Sequence, residues 1–375
     1  MRILFNCVVN RKGGSVQNAA NYISLAMKDC SHIYLFIVSK AVYDVLFEWG
    51  EIDERILIVD HPLESKSSKS KVAMYEYNFS PDLVYTMAGP TYLNFRSKHV
   101  LGISDGYITH ADLSVFFYKN SFFSGFLFLL KTILKGILAR FSADFFVFQT
   151  KTARDGFCKR FFLNKNKTYI VQNALGKSFQ SNIEINSAEK SKKEIIILCP
   201  FADYKHKDID ILERIIKIAD EKDLLGVKIK FIVTVDFGSE FDRKIERLNR
   251  VSNFFKIYNH GVYSYVDALD LYLSSDIVFM PTILETFSTT YLEAIASGKV
   301  LLASDKDFSR EICGDAAIYF RAKDEVDALS KIIDIIKVGK IPDPDISSKV
   351  LTKYGDYKDR YNNINLSFEF FLNKL

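Results

Sequence analysis

The sequence is poor in the features that announce several common function classes. Its five cysteines (Cys7, Cys30, Cys158, Cys199 and Cys313) are scattered and none stands in a CxxC pair. An odd, dispersed set reads as reduced thiols of a cytosolic protein, not as a disulfide framework. No GxGxxG follows the first strand, so a dinucleotide is not indicated. No HxxxH-type spacing is present and no obvious Asp-x-Asp metal motif stands out, so no metal centre is expected. A net charge of +4 is too small to argue for nucleic acid, and no basic stripe with interleaved aromatics follows a motif. No uninterrupted apolar run reaches the roughly 20 residues of a membrane span. Met1-Arg2 leads straight into a strand, so no signal peptide is expected. Proline (seven) and tryptophan (one) are scarce, and there are neither repeats nor a low-complexity tract.

What is present is a hydrophobic content of 48% and a charged content of 26% over 375 residues, enough for two globular domains. Apolar strands are predicted at 3–9, 33–38, 56–59, 82–85, 99–103, 144–148 and 169–174. Gly13-Gly14 makes a turn between the first strand and a helix carrying Val16, Ala20, Ile23 and Met27 on one face. Strand, glycine turn and helix form a doubly wound opening. The stretch 64–71 (ESKSSKSK) reads as a solvated loop. The polar stretch 176–193 reads as an interdomain linker. After it the βα rhythm restarts, with strands at 195–199, 229–235, 254–258, 277–280, 300–303 and 317–320, and with helices between them that include 209–218 and 241–248. A last helix is expected from Tyr354 to Leu375.

The second half is organised around Met280 to Gly298. A hydrophobic strand ends at Pro281, which cannot continue a ladder. A helix follows, with Ser288 as a suitable N-cap and Gly298 as its stop, and the next strand begins at Val300. Glu285 lies in the turn and Glu293 one turn into the helix. The helix start offers unpaired N–H groups and a dipole that favours anions.

This segment reads PTxxExFxxxxLEAxAxGK, and the match continues through Ala303-Ser304-Asp305, Arg310-Glu311-Ile312 and Gly314-Asp315-Ala316-Ala317. It resembles the donor site of the retaining, nucleotide-sugar-dependent glycosyltransferases of family 4 (group 1), of the bacterial surface-polysaccharide type. The resemblance implies an α/β chain of GT-B fold, with two doubly wound Rossmann-like domains facing across a cleft. The expected boundaries are 1–175 for the acceptor-side domain and 176–350 for the nucleotide-sugar domain, with 351–375 as a helix returning to the first. It further implies that a hexose moves from a nucleoside-diphosphate sugar to a glycan or lipid-linked acceptor, and that the leaving phosphate oxygen takes the acceptor proton. No cofactor is then required.

The resemblance also implies roles for particular residues. Glu285 faces the hexose hydroxyls, and Glu293 accepts hydrogen bonds from both ribose hydroxyls. Thr290-x-x-Glu293 also fits a capping box, a purely structural alternative. Lys207 aligns with the phosphate lysine of a Gly-Arg-x-x-x-x-Lys-Gly loop, and backbone N–H groups of Phe287, Ser288 and Thr289 complete the phosphate cradle. The usual Arg falls at Ala202, so Lys205 is a candidate replacement, although a lysine lacks the arginine fork. Gly261 and Val262 are expected against the base. Gly13 and Gly14 either approach the transferred sugar or only make a tight turn.

The chain departs from the family after Ile103. A His-Asp or His-Gly pair is usual there, and here Ser104-Asp105 stands, with His110 downstream. This departure and the missing Arg keep alive a non-catalytic nucleotide-sugar-binding subunit; a GT-B sugar-nucleotide epimerase is the other alternative. Tyr118 to Phe141 is rich in aromatics, with Lys119, Lys131, Lys135 and Arg140 around its apolar residues. It reads as a helix in a membrane interface or as a core helix of the first domain, with the core helix preferred. Cytoplasmic location follows, at the inner face of the membrane under the interface reading.

Overall fold

A computed structural model describes residues 1–180, 194–219, 226–263 and 267–374. The part of the expected linker at 181–193 lies outside these. The chain divides into two compact units. One comprises Met1–Asp112, Phe122–Asn173 and Tyr357–Leu375, and the other Leu113–Ser121 and Ala174–Asp356. Each is an α/β unit around an all-parallel sheet.

The first unit holds seven strands: β1 (Arg2–Cys7), β2 (Ile33–Val38), β3 (Ile56–Ile58), β4 (Leu83–Thr86), β5 (Lys98–Ile103), β6 (Phe145–Phe148) and β7 (Thr168–Ile170). Their order is β3-β2-β1-β4-β5-β6-β7, so the winding reverses between β1 and β4. Both faces of this sheet are covered. Ile3, Phe5 and Cys7 enter one apolar cluster, while Leu4 and Val8 enter another. Alternate residues of one strand therefore fill two cores, which is why the strand reads as a continuous apolar run. The helix Gly14–Lys28 follows β1, and Gly13 at its N-cap has φ +60°, a conformation that favours glycine.

The second unit holds β8 (Glu194–Cys199), β9 (Lys228–Val233), β10 (Phe255–Asn259), β11 (Ile277–Met280), β12 (Val300–Ser304) and β13 (Ala317–Phe320). The order is β10-β9-β8-β11-β12-β13, with the reversal between β8 and β11. All thirteen predicted strands exist, with ends shifted by a few residues.

Four expectations are corrected. The stretch 64–71 is mostly helical, because Lys66–Phe79 forms one helix whose buried residues are Ser68, Val72 and Glu76. Its first turns carry no apolar residue, so periodicity had nothing to report there. The terminal helix begins at Tyr357, not near 351. Pro344–Tyr354 is a separate helix of the second unit, ended at Gly355 with φ +62°. Leu113–Ser121, expected inside the first domain, belongs to the second unit.

The fourth correction concerns Phe122–Phe141, a single helix of 20 residues. It is long and apolar enough by length and composition to cross a membrane, with a mean hydropathy of 1.7. Only 22% of it is buried, so it is not a core helix. Gly125, Thr132, Gly136 and Ala139 face the protein, and the contact is close: a Cβ at Gly136 would strike the Phe161 ring. The large side chains, including Phe122, Phe126, Leu130, Leu134, Leu138 and Phe141, are exposed.

Candidate functional site

β8 and β11 are adjacent and parallel, so the loops leaving their carboxyl ends emerge side by side at the point where the strand order reverses. Open α/β sheets bind ligands at such points. The loop after β8 is Pro200–Asp208, and it closes with a short 3₁₀ turn at Lys205–Lys207. The loop after β11 runs from Pro281 to Ser288. A backbone hydrogen bond, Ile283 N–H to His206 O at 2.8 Å, stitches the two together.

That stitch brings Lys207 and Glu285 into a direct ion pair, Nζ to Oε1, with both side chains largely shielded (12% and 17% exposed). The sequence had named both residues separately, and the adjacent loops bring them together. Thr289–Ala296 is the following helix. Ser288 sits at its N-cap in an extended conformation, and its side chain makes no capping hydrogen bond. The first-turn N–H groups of this helix are therefore not closed off by Ser288. Phe287 contributes only backbone here, since its ring is buried edge-on against Tyr354.

Glu293 lies one turn into the helix. Its Oε2 accepts from the Tyr272 hydroxyl at 2.8 Å, and the Thr289 side chain also hydrogen-bonds to it. Burial pushes its carboxyl above the usual carboxylate range, against the pull of those two hydrogen bonds. The capping-box alternative does not hold, because the helix begins at Thr289 with Ser288, not Thr290, at its N-cap.

Gly261 has φ +81°, so the turn after β10 favours glycine; a Cβ there would also meet the exposed Phe237 ring, which is free to shift. Val262 beside it is exposed. Among the described residues, no group of three or more His, Cys, Asp or Glu side chains is placed to hold a metal ion.

Lys205, the candidate replacement for the missing arginine, lies on the same 3₁₀ turn as Lys207. Its ammonium donates to Asn120 Oδ1 at 2.7 Å and to the Lys119 carbonyl at 3.2 Å. Gly13 and Gly14 belong to the other unit, at the start of its first helix. In that unit Asp105 caps the helix Gly106–Thr109, accepting from Tyr107 N–H at 2.9 Å, and pairs with Lys135 at 2.8 Å. Asp105 is thereby committed to structure. His110 follows that helix and lies 2.8 Å from Thr109 Oγ1.

Sequence reasoning passed over Tyr118, Asp208 and Arg214. Asp208, next to Lys207, is fully buried at φ +51° and receives the Tyr118 hydroxyl and the Arg214 guanidinium. The signal available was local: Asp208 occupies the position where the resembling loop has Gly or Asn, the residues that tolerate this backbone.

Residues 180–346 match the family described as glycosyl transferases group 1. The chain is 24% identical over 258 residues to the O-antigen chain mannosyltransferase RfbU of Salmonella typhimurium, covering 68% of this chain. That match spans 65% of the relative's length, just under two thirds. Among solved structures, Anabaena Alr3699/HepE in complex with UDP-glucose aligns over 98% of this chain and 99% of its own, with a TM-score of 0.70 at 15% identity. The apo form of the lipopolysaccharide outer core galactosyltransferase WaaB covers 100% of both chains, with a TM-score of 0.67 at 13% identity. Residues 180–346 are thus similar to the group 1 glycosyl transferases, and the chain as a whole has the GT-B fold.

Proposed function

We propose that this protein is a retaining glycosyltransferase that moves a hexose from a nucleoside-diphosphate sugar to a lipid-linked glycan in the synthesis of a surface polysaccharide. The observation that carries the reading is the Lys207–Glu285 pair beside the start of the Thr289–Ala296 helix. A cation, a carboxylate and a helix start on one loop pair match a donor's needs in order. The diphosphate takes the Lys207 ammonium and the N–H groups of Ser288 and Thr289. Glu285, released from Lys207 as phosphate oxygens replace it, accepts from the hexose hydroxyls. Glu293, held by Tyr272, receives the ribose hydroxyls.

Catalysis in this reading is positioning and charge stabilisation. Lys207 neutralises the leaving diphosphate, and a phosphate oxygen takes the acceptor proton, so no separate base is assigned. No metal is assigned, because Lys207 and the helix start supply the positive charge. The kinship with an O-antigen mannosyltransferase supports the choice of acceptor class.

We further infer that the protein works at the cytoplasmic face of an anionic bilayer, through the exposed face of Phe122–Phe141. The wide stripe of large apolar side chains on that helix, with Lys131 and Arg140 beside it, supports this.

The test is a thermal-shift panel of UDP-, GDP- and ADP-hexoses with the intact chain, followed by a transfer assay with the donor that stabilises it. Stabilisation by one class and transfer with retention of anomeric configuration are expected. Binding without transfer to any lipid-linked glycan would instead indicate a non-catalytic binding subunit.

A further inference from the structure

The segment Leu113–Ser121 comes from the first half of the sequence yet belongs to the second unit, where it holds residues on either side of Lys207. On one side Lys205 donates to Asn120 Oδ1 and to the Lys119 carbonyl. On the other, the Tyr118 hydroxyl donates to Asp208 Oδ1. Arg214 reaches both Asp208 oxygens, at 2.9 and 3.2 Å, and its Nε donates to Glu325 at 3.0 Å. Lys119 pairs with Asp210 at 2.5 Å. The Lys323 ammonium lies 4.7 Å from the centre of the Tyr118 ring and 3.2 Å from Ser114 Oγ.

Asp208 is unusual on two counts. Its side chain is fully buried, and its backbone is left-handed, at φ +51° and ψ 40°. A left-handed backbone is disfavoured for a residue with a Cβ, and a buried carboxylate is disfavoured unless its oxygens are satisfied. Here Tyr118 and Arg214 satisfy the oxygens and hold the side chain in place. The backbone turn at Asp208 then follows, and it fixes where the preceding residue, Lys207, projects. Strained residues held by several partners cluster where geometry matters to function.

We propose that Leu113–Ser121 is a strap that positions the donor loop, and that Tyr118 is its positioning residue: with Arg214 it clamps Asp208 in the left-handed conformation that directs Lys207 toward Glu285. The inference rests on reading Lys207 as the diphosphate lysine. Tyr118 touches no reacting atom; it acts through Asp208.

The substitutions at Asp208 separate backbone from charge. Asp208→Gly and Asp208→Ala both remove the carboxylate, but only glycine enters the left-handed region freely. With the full-length chain, dissociation constants for UDP and for GDP are measured by calorimetry, and hydrogen–deuterium exchange is followed across residues 200–208. Tyr118→Phe and Asp208→Ala are expected to weaken binding of the preferred nucleotide about tenfold and to speed exchange at 205–208. Asp208→Gly should bind within about twofold of the wild type, and adding Tyr118→Phe to it should cost nothing more. Equal losses for Asp208→Gly and Asp208→Ala would overturn the backbone role. Unchanged exchange and affinity in Tyr118→Phe would overturn the strap. A wild type that binds none of UDP, GDP and ADP, measured in the same way, would refute the donor reading. In that case faster exchange in Tyr118→Phe would still establish the clamp on the loop, and unchanged exchange would refute it.

Discussion

Lys207 and Glu285 are 78 residues apart in sequence and pair directly in the fold, each on a loop leaving one of two neighbouring parallel strands. The pair presents a ligand with a cation and a carboxylate that already neutralise one another. In the proposed function an incoming diphosphate exchanges one anionic partner of Lys207 for another, so the ammonium would never be left alone.

The first prediction follows from that exchange. Lys207→Ala should weaken binding of the nucleoside diphosphate by the loss of charge-assisted hydrogen bonds, roughly 1.5–3 kcal/mol, or about ten- to a hundredfold. Glu285→Ala should leave nucleoside-diphosphate affinity near the wild-type value while transfer falls by a hundredfold or more, because its partner is the hexose. Calorimetry with the free nucleotide and initial rates with the intact donor separate the two. Equal effects of both substitutions on nucleotide affinity would remove the division of labour.

Glu293 should behave differently from Glu285. It is held by Tyr272 and Thr289 and faces the ribose in the proposed complex. Glu293→Ala is expected to weaken nucleotide binding by roughly 1.5–3 kcal/mol. Tyr272→Phe, which frees the carboxylate but leaves it in place, should cost less. If Glu293→Ala lowers the melting temperature but leaves nucleotide affinity intact, the residue is structural only.

Transfer should survive excess EDTA if, as proposed, Lys207 and the helix start carry the diphosphate. Loss of activity with chelator, restored by Mn²⁺ or Mg²⁺, would contradict that assignment. Lys207→Ala in the same assay is the internal control.

Much of this was legible from sequence because both sheets are parallel and covered on both faces. Such strands are short apolar runs, and the runs at Ile33–Val38 and Ile277–Met280 are found at those bounds. The resemblance named Lys207 through the loop after β8, and Glu285 and Glu293 through the loop and helix after β11; that Lys207 and Glu285 pair came from the fold alone. The pairing of Lys205 was not legible, because the motif said nothing about Asn120, which comes from 85 residues earlier and takes its ammonium. Tyr118 and Arg214 left no trace in sequence for the same reason: their meaning lies in a long-range meeting with Asp208. The Phe122–Phe141 helix was misread because hydrophobicity does not tell which side of a helix faces water. Here the small residues face the protein and the large ones face out.

His99 gives a prediction on stability. It lies on β5, almost wholly buried; its Nδ1 donates to the Ser142 carbonyl at 2.6 Å and its Nε2 accepts from Thr86 at 2.8 Å. Burial lowers its pKa from 6.5 to about 4, despite the hydrogen bond to Ser142 and the nearby Asp144 and Glu76 carboxylates, which pull the other way. The folded state therefore prefers the neutral ring. Between those values the unfolded chain binds the proton and the folded chain does not, so stability falls as pH drops through this window. From pH 6.5 to below 4 the loss from this one group is about 3 kcal/mol. Urea unfolding across that range should show the slope, and His99→Gln should flatten it. A slope identical in both proteins would assign the acid sensitivity elsewhere.

The last prediction concerns the membrane. Of the four basic residues near the exposed helix, two are already committed: Lys119 pairs with Asp210 and Lys135 with Asp105. Lys131 and Arg140 remain as charges for an anionic surface, contributing about 1 kcal/mol each. The apolar term is larger. Phe122 and Phe141 are each 80% exposed and Phe123 is 71% exposed. Each such side chain contributes about 1.5–3 kcal/mol when fully buried, and somewhat less at a headgroup boundary. Attachment to vesicles containing phosphatidylglycerol should therefore persist in part at high salt. Lys131→Glu with Arg140→Glu should weaken it at low salt, and Phe122→Ser with Phe123→Ser should weaken it at both salt concentrations, most visibly at high salt. Reversing Lys119 or Lys135 is a poor probe, because each substitution would break an internal pair. The measurement is co-sedimentation of the wild type and both double variants at two salt concentrations. If the wild type stays in the supernatant, or the serine variant sediments equally well, the exposed face does not serve a bilayer.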